Sequence, residues 1–142
     1  MKEIKIRNAT EKDIKEAIDI SNVSGLQISG EQRAPSEKWF KAFIQEKQFF
    51  YVAEIDKKVV GVLIAERVTG DIGYLWEVGV KKDLRSKGIG SLLLKKFIEE
   101  CKKRKFRFII GYGYLNEGSL SFTRKHKFVE GESYKEVRLD LE

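Results

Sequence analysis

Residues 49 to 68, FFYVAEIDKKVVGVLIAERV, constrain this chain more than any other stretch. Two runs rich in Val, Ile, Phe and Tyr flank a short polar break, DKK, and that pattern predicts an antiparallel hairpin. Upstream, KEIKIRNA alternates apolar and polar side chains as a half-buried strand does. Thr10, Glu11 and Asp13 then make a capping-box-like start to a helix carrying Ile14, Ala17, Ile18 and Val23. SGLQISGEQRAPSE, with its glycines, serines and the single proline, reads as a loop before a second helix. That helix opens at Ser36 and Glu37 and turns Trp39, Phe40, Phe43 and Ile44 inward.

Downstream of the hairpin the order continues with a strand in GYLWEVGV, a loop in KKDLRSK and a helix with Ile89, Leu93, Phe97 and Cys101 on one face. A buried-type strand within FRFIIGYGY, a short helix in NEGSLSFTRKH and a closing hairpin in KFVEGESYKEVRLDL complete the chain, the hairpin placing Val137, Leu139 and Leu141 on one side. The fold class is therefore α/β (α+β): one mixed, mostly antiparallel sheet of about six to seven strands with about four helices. A helical crossover joins the fourth and fifth strands, so these two are parallel. A length of 142 residues predicts a single domain over 1–142.

MKEIKIRNATEKD lacks the apolar core of a secretion signal, and no apolar run approaches the roughly 18 residues of a membrane span. The expectation is a soluble, cytoplasmic protein with no membrane partner. Cys101 is the single cysteine and falls among the apolar positions of a helix, which predicts a core thiol in a reducing compartment. The net charge of +6, from 28 Lys and Arg against 22 Asp and Glu, points to an anionic partner without identifying it. CKKRKFRF, at 101–108, interleaves cations with aromatics as some nucleic-acid binders do, but its cations fall in a last helical turn, where the helix dipole favours them.

The third helix start is unlike the others. The first carries Glu11 and Asp13 and the second Glu37, whereas the third follows Arg85 and Lys87, is opened by Gly88 and Gly90, and meets no acid until Glu99. Bare amides, permissive glycines and cations at a positive helix end suit an anion supplied from outside, usually a phosphate. The glycines let oxygen atoms approach backbone N–H groups that a side chain would shield. A Rossmann fingerprint would need a glycine where Leu93 stands, and a Walker A loop needs a Gly-Lys-Ser/Thr ending that is absent.

What remains, Arg85-Ser86-Lys87-Gly88-Ile89-Gly90, resembles the acetyl-CoA pyrophosphate loop of the GCN5-related N-acetyltransferases, written Q/R-x-x-G-x-G/A. Ile6, Arg7, Ala9, Thr10 and Asp13 match that family's opening strand and turn, Val78 and Val80 match its strand before the loop, and the element order agrees over nearly the whole chain. The resemblance implies that the fourth and fifth strands splay around the cofactor arm. It further implies that main-chain amides of Arg85, Ser86, Lys87, Gly88, Ile89, Gly90 and Ser91 hold the CoA pyrophosphate. The backbone at Val78 and Val80 would then pair with the pantetheine arm like an added strand. Lys81, Lys82 and Lys87 would steer the anionic adenosine end, and Asn116 would contact the arm or act as a plain helix cap.

In this family the acceptor amine attacks the thioester directly, and a lysine-type amine is protonated at pH 7. Glu77 is the carboxylate best placed by sequence to take that proton, with the Val78 amide as the oxyanion donor by analogy. Strand alternation sets Glu77 opposite in phase to Trp76 and Val78, so its side of the sheet stays open at this point. The general acid departs from the family pattern: in NEGSLSFTRKHKF, Thr123 stands where a tyrosine is usual and Lys127 where a glycine is. Tyr112, Tyr114 and Tyr134 could supply a phenol instead, while His126 reads as solvent-facing between two lysines.

The implied function is acetyl-CoA-dependent N-acetyl transfer to an amine-bearing acceptor, a small molecule or peptide. Two other classes stay open: a CoA-binding sensor or partner module without efficient catalysis, and, with less support, a basic nucleic-acid-binding domain. The loop from Val23 to Pro35 would border the acceptor, with Arg33 available to a carboxylate. Acceptor identity and a homodimeric state are both left open by the residues.

Overall fold

The hairpin forms the middle of a five-stranded sheet. In the computed structural model, which describes residues 2–24, 36–112, 117–135 and 137–141, the strands are β1 (Lys5–Asn8), β2 (Phe49–Ile55), β3 (Lys58–Val68), β4 (Ile72–Val80) and β5 (Phe108–Gly111). Their order across the sheet is their order in sequence. Asp56 and Lys57 both have positive φ, 51° and 64°, so the hairpin closes on a two-residue turn whose hand matches the strand twist, and Lys58 already belongs to β3. The first three pairings are antiparallel, and β4 pairs with β5 in parallel, as a helical crossover requires.

Seven consecutive residues of β3, Val59 to Ala65, are buried, so both faces of the sheet must be covered. Helix α3 (Ile89–Lys103) covers one face, packing Ile89, Leu93, Leu94, Phe97 and Cys101 against Phe49, Tyr51, Ala53, Leu63 and Ala65. Helices α1 (Ile14–Ser24) and α2 (Glu37–Gln45) cover the other, bringing Ile14, Ala17, Ile20, Phe40 and Phe43 against Phe50, Val52, Val62 and Ile64. Residues of β2 alternate between these two cores, as the two-residue strand period demands, and those of β3 do so except at Val60, an unpaired residue that shares the α3 side with Gly61. A fourth helix, α4 (Glu117–Lys125), follows β5 and adds Phe122 to the α3 side.

The helix starts match their sequence signals. Ser36 caps α2, its Oγ accepting from the Trp39 amide at 3.2 Å. Before α1, Thr10 and Asp13 bracket a 3-10 turn over Glu11–Asp13: the Thr10 amide donates to Asp13 Oδ2 at 2.7 Å, and the Asp13 amide donates to the Thr10 carbonyl at 2.9 Å. Arg7 then locks this turn to the sheet. Its guanidinium grips both oxygens of Asp13 at 2.8 and 2.9 Å while its Nε donates to Glu54 on β2 at 3.0 Å. Hydrogen bonding from Arg7, followed by the Thr10 amide, outweighs burial and holds the Asp13 carboxyl below its ordinary value.

Two expectations are corrected. The sheet has five strands among the described residues, fewer than six to seven, because the closing hairpin is not formed: residues 128–135 and 137–141 are irregular, with Val137, Leu139 and Leu141 81 to 91% exposed. Alternation in VRLDL defines two faces, but it specifies no strand to pair with, and Arg138 instead bonds its near neighbour Asp140 at 3.0 Å. β5 is only four residues long and half exposed, since it pairs with β4 alone. The cations of this stretch fall at the helix end as expected, with Lys102 and Lys103 in the last turn of α3, while Arg104 bonds Glu100 at 2.9 Å with its guanidinium over the Phe49 ring and Arg107 lies over Phe108. No helix among the described residues is long and apolar enough to cross a membrane.

Breaking a largely buried ion pair by removing one partner strands the other charge. Arg7→Ala is therefore expected to lower stability by about 3 kcal/mol at pH 7. Because the Asp13 carboxyl is depressed in the folded state, its contribution is present above about pH 4 and lost as pH falls further. Urea midpoints for wild type and Arg7→Ala should converge between pH 7 and pH 2.5, and a constant gap would contradict this role.

Candidate active site

Strand β4 carries an extra residue. Ile64 lies opposite Glu77 and Ala65 opposite Leu75, so Trp76 is a bulge between them. Leu75 and Val78 therefore both face α3, while Trp76 and Glu77 both face α1 and α2. Strict alternation, which set Glu77 out of phase with Trp76, fails at this point, and the side of Glu77 is decided. Glu77 is buried, 8% exposed, and accepts a hydrogen bond at 2.9 Å from the hydroxyl of Ser21 on α1.

The bulge coincides with the end of β5. Pairing between the two parallel strands runs from Ile72–Phe108 to Leu75–Gly111, and among the described residues it ends there, so that residues 77–80 are paired to β3 alone. Val78 and Val80 lie in this open stretch, with half-buried side chains on the α3 face. An unpaired strand edge presents backbone donors and acceptors to whatever fits alongside.

Beyond β4 the chain makes a 3-10 turn over Lys82–Leu84 and enters α3 through the glycine loop. Gly88 is the cap residue at φ 84°, a left-handed conformation that glycine adopts freely, and a side-chain atom added there would meet nothing within 4 Å. No side chain caps this helix and no acid stands in its first turn. Its hydrogen-bond ladder begins with the Leu92 amide donating to the Gly88 carbonyl at 3.0 Å, so the amides of Ile89, Gly90 and Ser91 precede the ladder at the positive end of the dipole. Ser86 also has positive φ, 62°, and Ser86, Lys87 and Gly88 are exposed. Arg85 donates from Nε to the Val80 carbonyl at 3.3 Å, tying the loop to β4, while Lys81 pairs with Glu16 of α1 at 3.4 Å.

α4 packs beside the start of α3. A side-chain atom on Gly90 would sit in ordinary contact with Phe122 of α4 at 3.4 Å and Val78 of β4 at 3.5 Å, so three elements meet at this position. His126 corrects its solvent-facing reading: its Nε2 lies 2.9 Å from Ser91 Oγ and its ring packs on Phe122. Burial, then Lys125 and Lys95, push its pKa below the ordinary value, which favours the neutral ring. Thr123 donates its hydroxyl to the Leu120 carbonyl at 3.0 Å.

On the Glu77 side, aromatic rings run outward from the bulge: Trp39 of α2 to Trp76, Trp76 to Tyr74, Tyr74 to Tyr112 and Tyr112 to Tyr134, at centroid distances of 5.5, 4.8, 5.8 and 6.4 Å. Tyr112 and Tyr134 are mostly exposed. Tyr114, Asn116 and residues 25–35, including Arg33, lie outside the described residues. No cluster of three metal-ligating side chains occurs among the described ones.

Comparison with known proteins names this arrangement. The sequence model of the acetyltransferase (GNAT) family matches residues 14–128. The chain belongs to the GNAT acetyltransferase family. An uncharacterised N-acetyltransferase of Methanocaldococcus jannaschii is 26% identical over 141 residues, covering 92% of this GNAT chain but only 62% of that protein's length. The ribosomal-protein-alanine N-acetyltransferase of Brucella melitensis superposes with a TM-score of 0.76 at 26% identity, covering 90% of this chain and 86% of its own. An aminoglycoside acetyltransferase from an uncultured soil metagenomic sample, solved with sisomicin, shares the fold at a TM-score of 0.76 and 17% identity, covering 98% and 97%.

Two site features escaped the sequence. The bulge has no local signature in GYLWEVGV, because it is a property of pairing with β3. Ser21 left a signal that could have been read: it falls one helical turn after Ala17, on the apolar face, where a polar residue needs a reason.

Cys101 is 3% exposed in the GNAT core, and burial pushes its thiol up to about 11. It packs beside Phe97, as its sequence position predicted. A maleimide at pH 8 should label the native protein on the order of a hundredfold more slowly than the urea-unfolded chain. Equal labelling rates would place the thiol at the surface.

Proposed function

We propose that this chain transfers an acetyl group from acetyl-CoA directly to a primary amine on a small molecule or peptide. The observation that carries the reading is the convergence, around one end of β4, of an uncapped glycine-opened helix start, an open strand edge and a buried carboxylate. The residues fit the co-substrate. Space in front of Gly88 is open, no acid in the first turn of α3 repels phosphate, and exposed Lys87 adds positive charge. The amides from Arg85 to Ser91 would hold the pyrophosphate, and the backbone at Val78 and Val80 would hold the pantetheine arm.

Acetyl-CoA supplies an acetyl thioester whose leaving group is a thiolate. The protein's tasks are to deliver a neutral amine and to favour negative charge on the thioester oxygen. Glu77 accepts the proton of the acceptor ammonium, and the Val78 amide donates to the oxygen. Tyr112, between Tyr74 and Tyr134 in the aromatic row, and Tyr114 are the phenols assigned to protonate the thiolate. Thr123 is a poor substitute, because an aliphatic hydroxyl is too weak an acid. That substitution favours a second reading, CoA binding without efficient turnover, which thiol release across a panel of amines distinguishes from the first. The fold leaves the acceptor class undecided between peptide and small-molecule amines, because the compared N-acetyltransferase of ribosomal protein and the aminoglycoside acetyltransferase share it equally.

Two variants test the assignments. Asparagine and aspartate both tolerate the left-handed conformation, so Gly88→Asn controls for strain while Gly88→Asp adds a charge facing the phosphate. Calorimetry is expected to show CoA affinity at least about tenfold weaker in Gly88→Asp than in Gly88→Asn; equal affinities would remove the loop from the site. Glu77→Gln should lower turnover by roughly a hundredfold near pH 7. The deficit should narrow toward pH 10, where a lysine-type amine loses its proton unaided. A deficit independent of pH would assign Glu77 a structural role.

A further inference from the structure

Among the described residues three polar side chains are buried: Asp13, Ser21 and Glu77. Asp13 is accounted for by Arg7 and the turn before α1. The other two are bonded to each other across the α1 and β4 interface. Ser21 is fully buried at 0% exposure, in the stripe of α1 that also buries Ile14, Ala17 and Ile20. Alanine already serves that stripe one turn earlier and is the better helix former. A serine inside a helix commonly turns its hydroxyl back on its own backbone, yet this one reaches β4, 56 positions away in sequence. Burying a hydroxyl costs free energy that a partner must offset, and here the partner is the carboxylate assigned to proton transfer.

We propose that Ser21 is the positioning residue of this site: its hydroxyl, donating to Glu77 Oε2 at 2.9 Å, holds the carboxylate in the orientation from which it receives the acceptor's proton. The inference rests on the reading of Glu77 as base. Glu77 leaves β4 at the bulge, and its backbone is paired with Ile64 on β3, so its side chain emerges in a fixed direction toward α1. A glutamate retains rotatable bonds beyond that point, and one charge-assisted hydrogen bond from a rigid helix removes much of the remaining freedom. Among the described residues, three carboxylates of the adjoining elements are placed as follows. Glu16 of α1 pairs with Lys81, Asp19 of α1 is exposed, and Glu66 lies further along β3, opposite Tyr74. Ser21 also acts from the α1/α2 face of the sheet, whereas the glycine loop leads into α3 on the other, so the two functions are separable.

The test compares wild type, Ser21→Ala, Ser21→Thr and Glu77→Gln by pH–rate profile, acetyl-CoA affinity and the titration of the Glu77 carboxyl carbon by NMR in the free protein. A donated hydroxyl hydrogen favours the ionised carboxylate, so Ser21→Ala should raise both the Glu77 titration midpoint and the acid limb of kcat/KM by about one pH unit. It should lower kcat about tenfold and leave acetyl-CoA affinity within about twofold. Ser21→Thr, which restores the hydroxyl, should return the midpoint and limb toward wild type. If Ser21→Ala fails to fold, the nearly isosteric Ser21→Cys, a weak donor, takes its place with the same expected shifts. An unmoved midpoint and limb, with the limb abolished in Glu77→Gln, would overturn the positioning role alone. A limb that survives in Glu77→Gln would instead overturn the reading of Glu77 as base.

Discussion

Burial of β3 on both faces is the constraint on which the rest of the structure depends. Seven consecutive buried residues, Val59 to Ala65, cannot be covered by one layer, so α3 and the α1/α2 pair must occupy opposite sides of the sheet. Everything functional is then arranged relative to its neighbour β4, which is held by β3 along its whole length but by β5 along only half of it.

That asymmetry creates the site. Where β5 stops, β4 offers an edge that would otherwise be an aggregation hazard, and the bulge at Trp76 sits at the same place. One extra residue changes which side chains face which helix. It gives Trp76 and Glu77 to the α1/α2 side while Val78 stays with α3, so a carboxylate and the uncapped start of α3 lie on opposite faces of one strand. The separation is electrostatically sensible, because a carboxylate beside the start of α3 would compete with phosphate for the same amides.

Coupling between parts of the site runs through a few polar contacts. His126 and Ser91 join the end of α4 to the first turn of α3, Arg85 joins the loop to β4, and Ser21 joins α1 to Glu77. Each fixes one element against another near the place where the chemistry is assigned. Arg7 plays the corresponding part in the scaffold, fastening the turn before α1 to β1 and β2.

Local features of the sequence determined a large share of this. Strand and helix periodicity located all eleven-residue and longer elements, the caps at Ser36 and Gly88 marked helix starts, and the absence of acid at the start of α3 set it apart from the other two. These signals are legible because they depend on neighbours within one or two turns. The closing hairpin was misjudged for the complementary reason: alternation at Val137, Leu139 and Leu141 describes a strand's faces, and nothing local provides its partner. Which side of the sheet receives Glu77, that Ser21 reaches it, and that His126 meets Ser91 were decided only by tertiary structure. Those facts turn on strand register and helix docking, interactions between residues 35 and 56 positions apart that no sequence window contains.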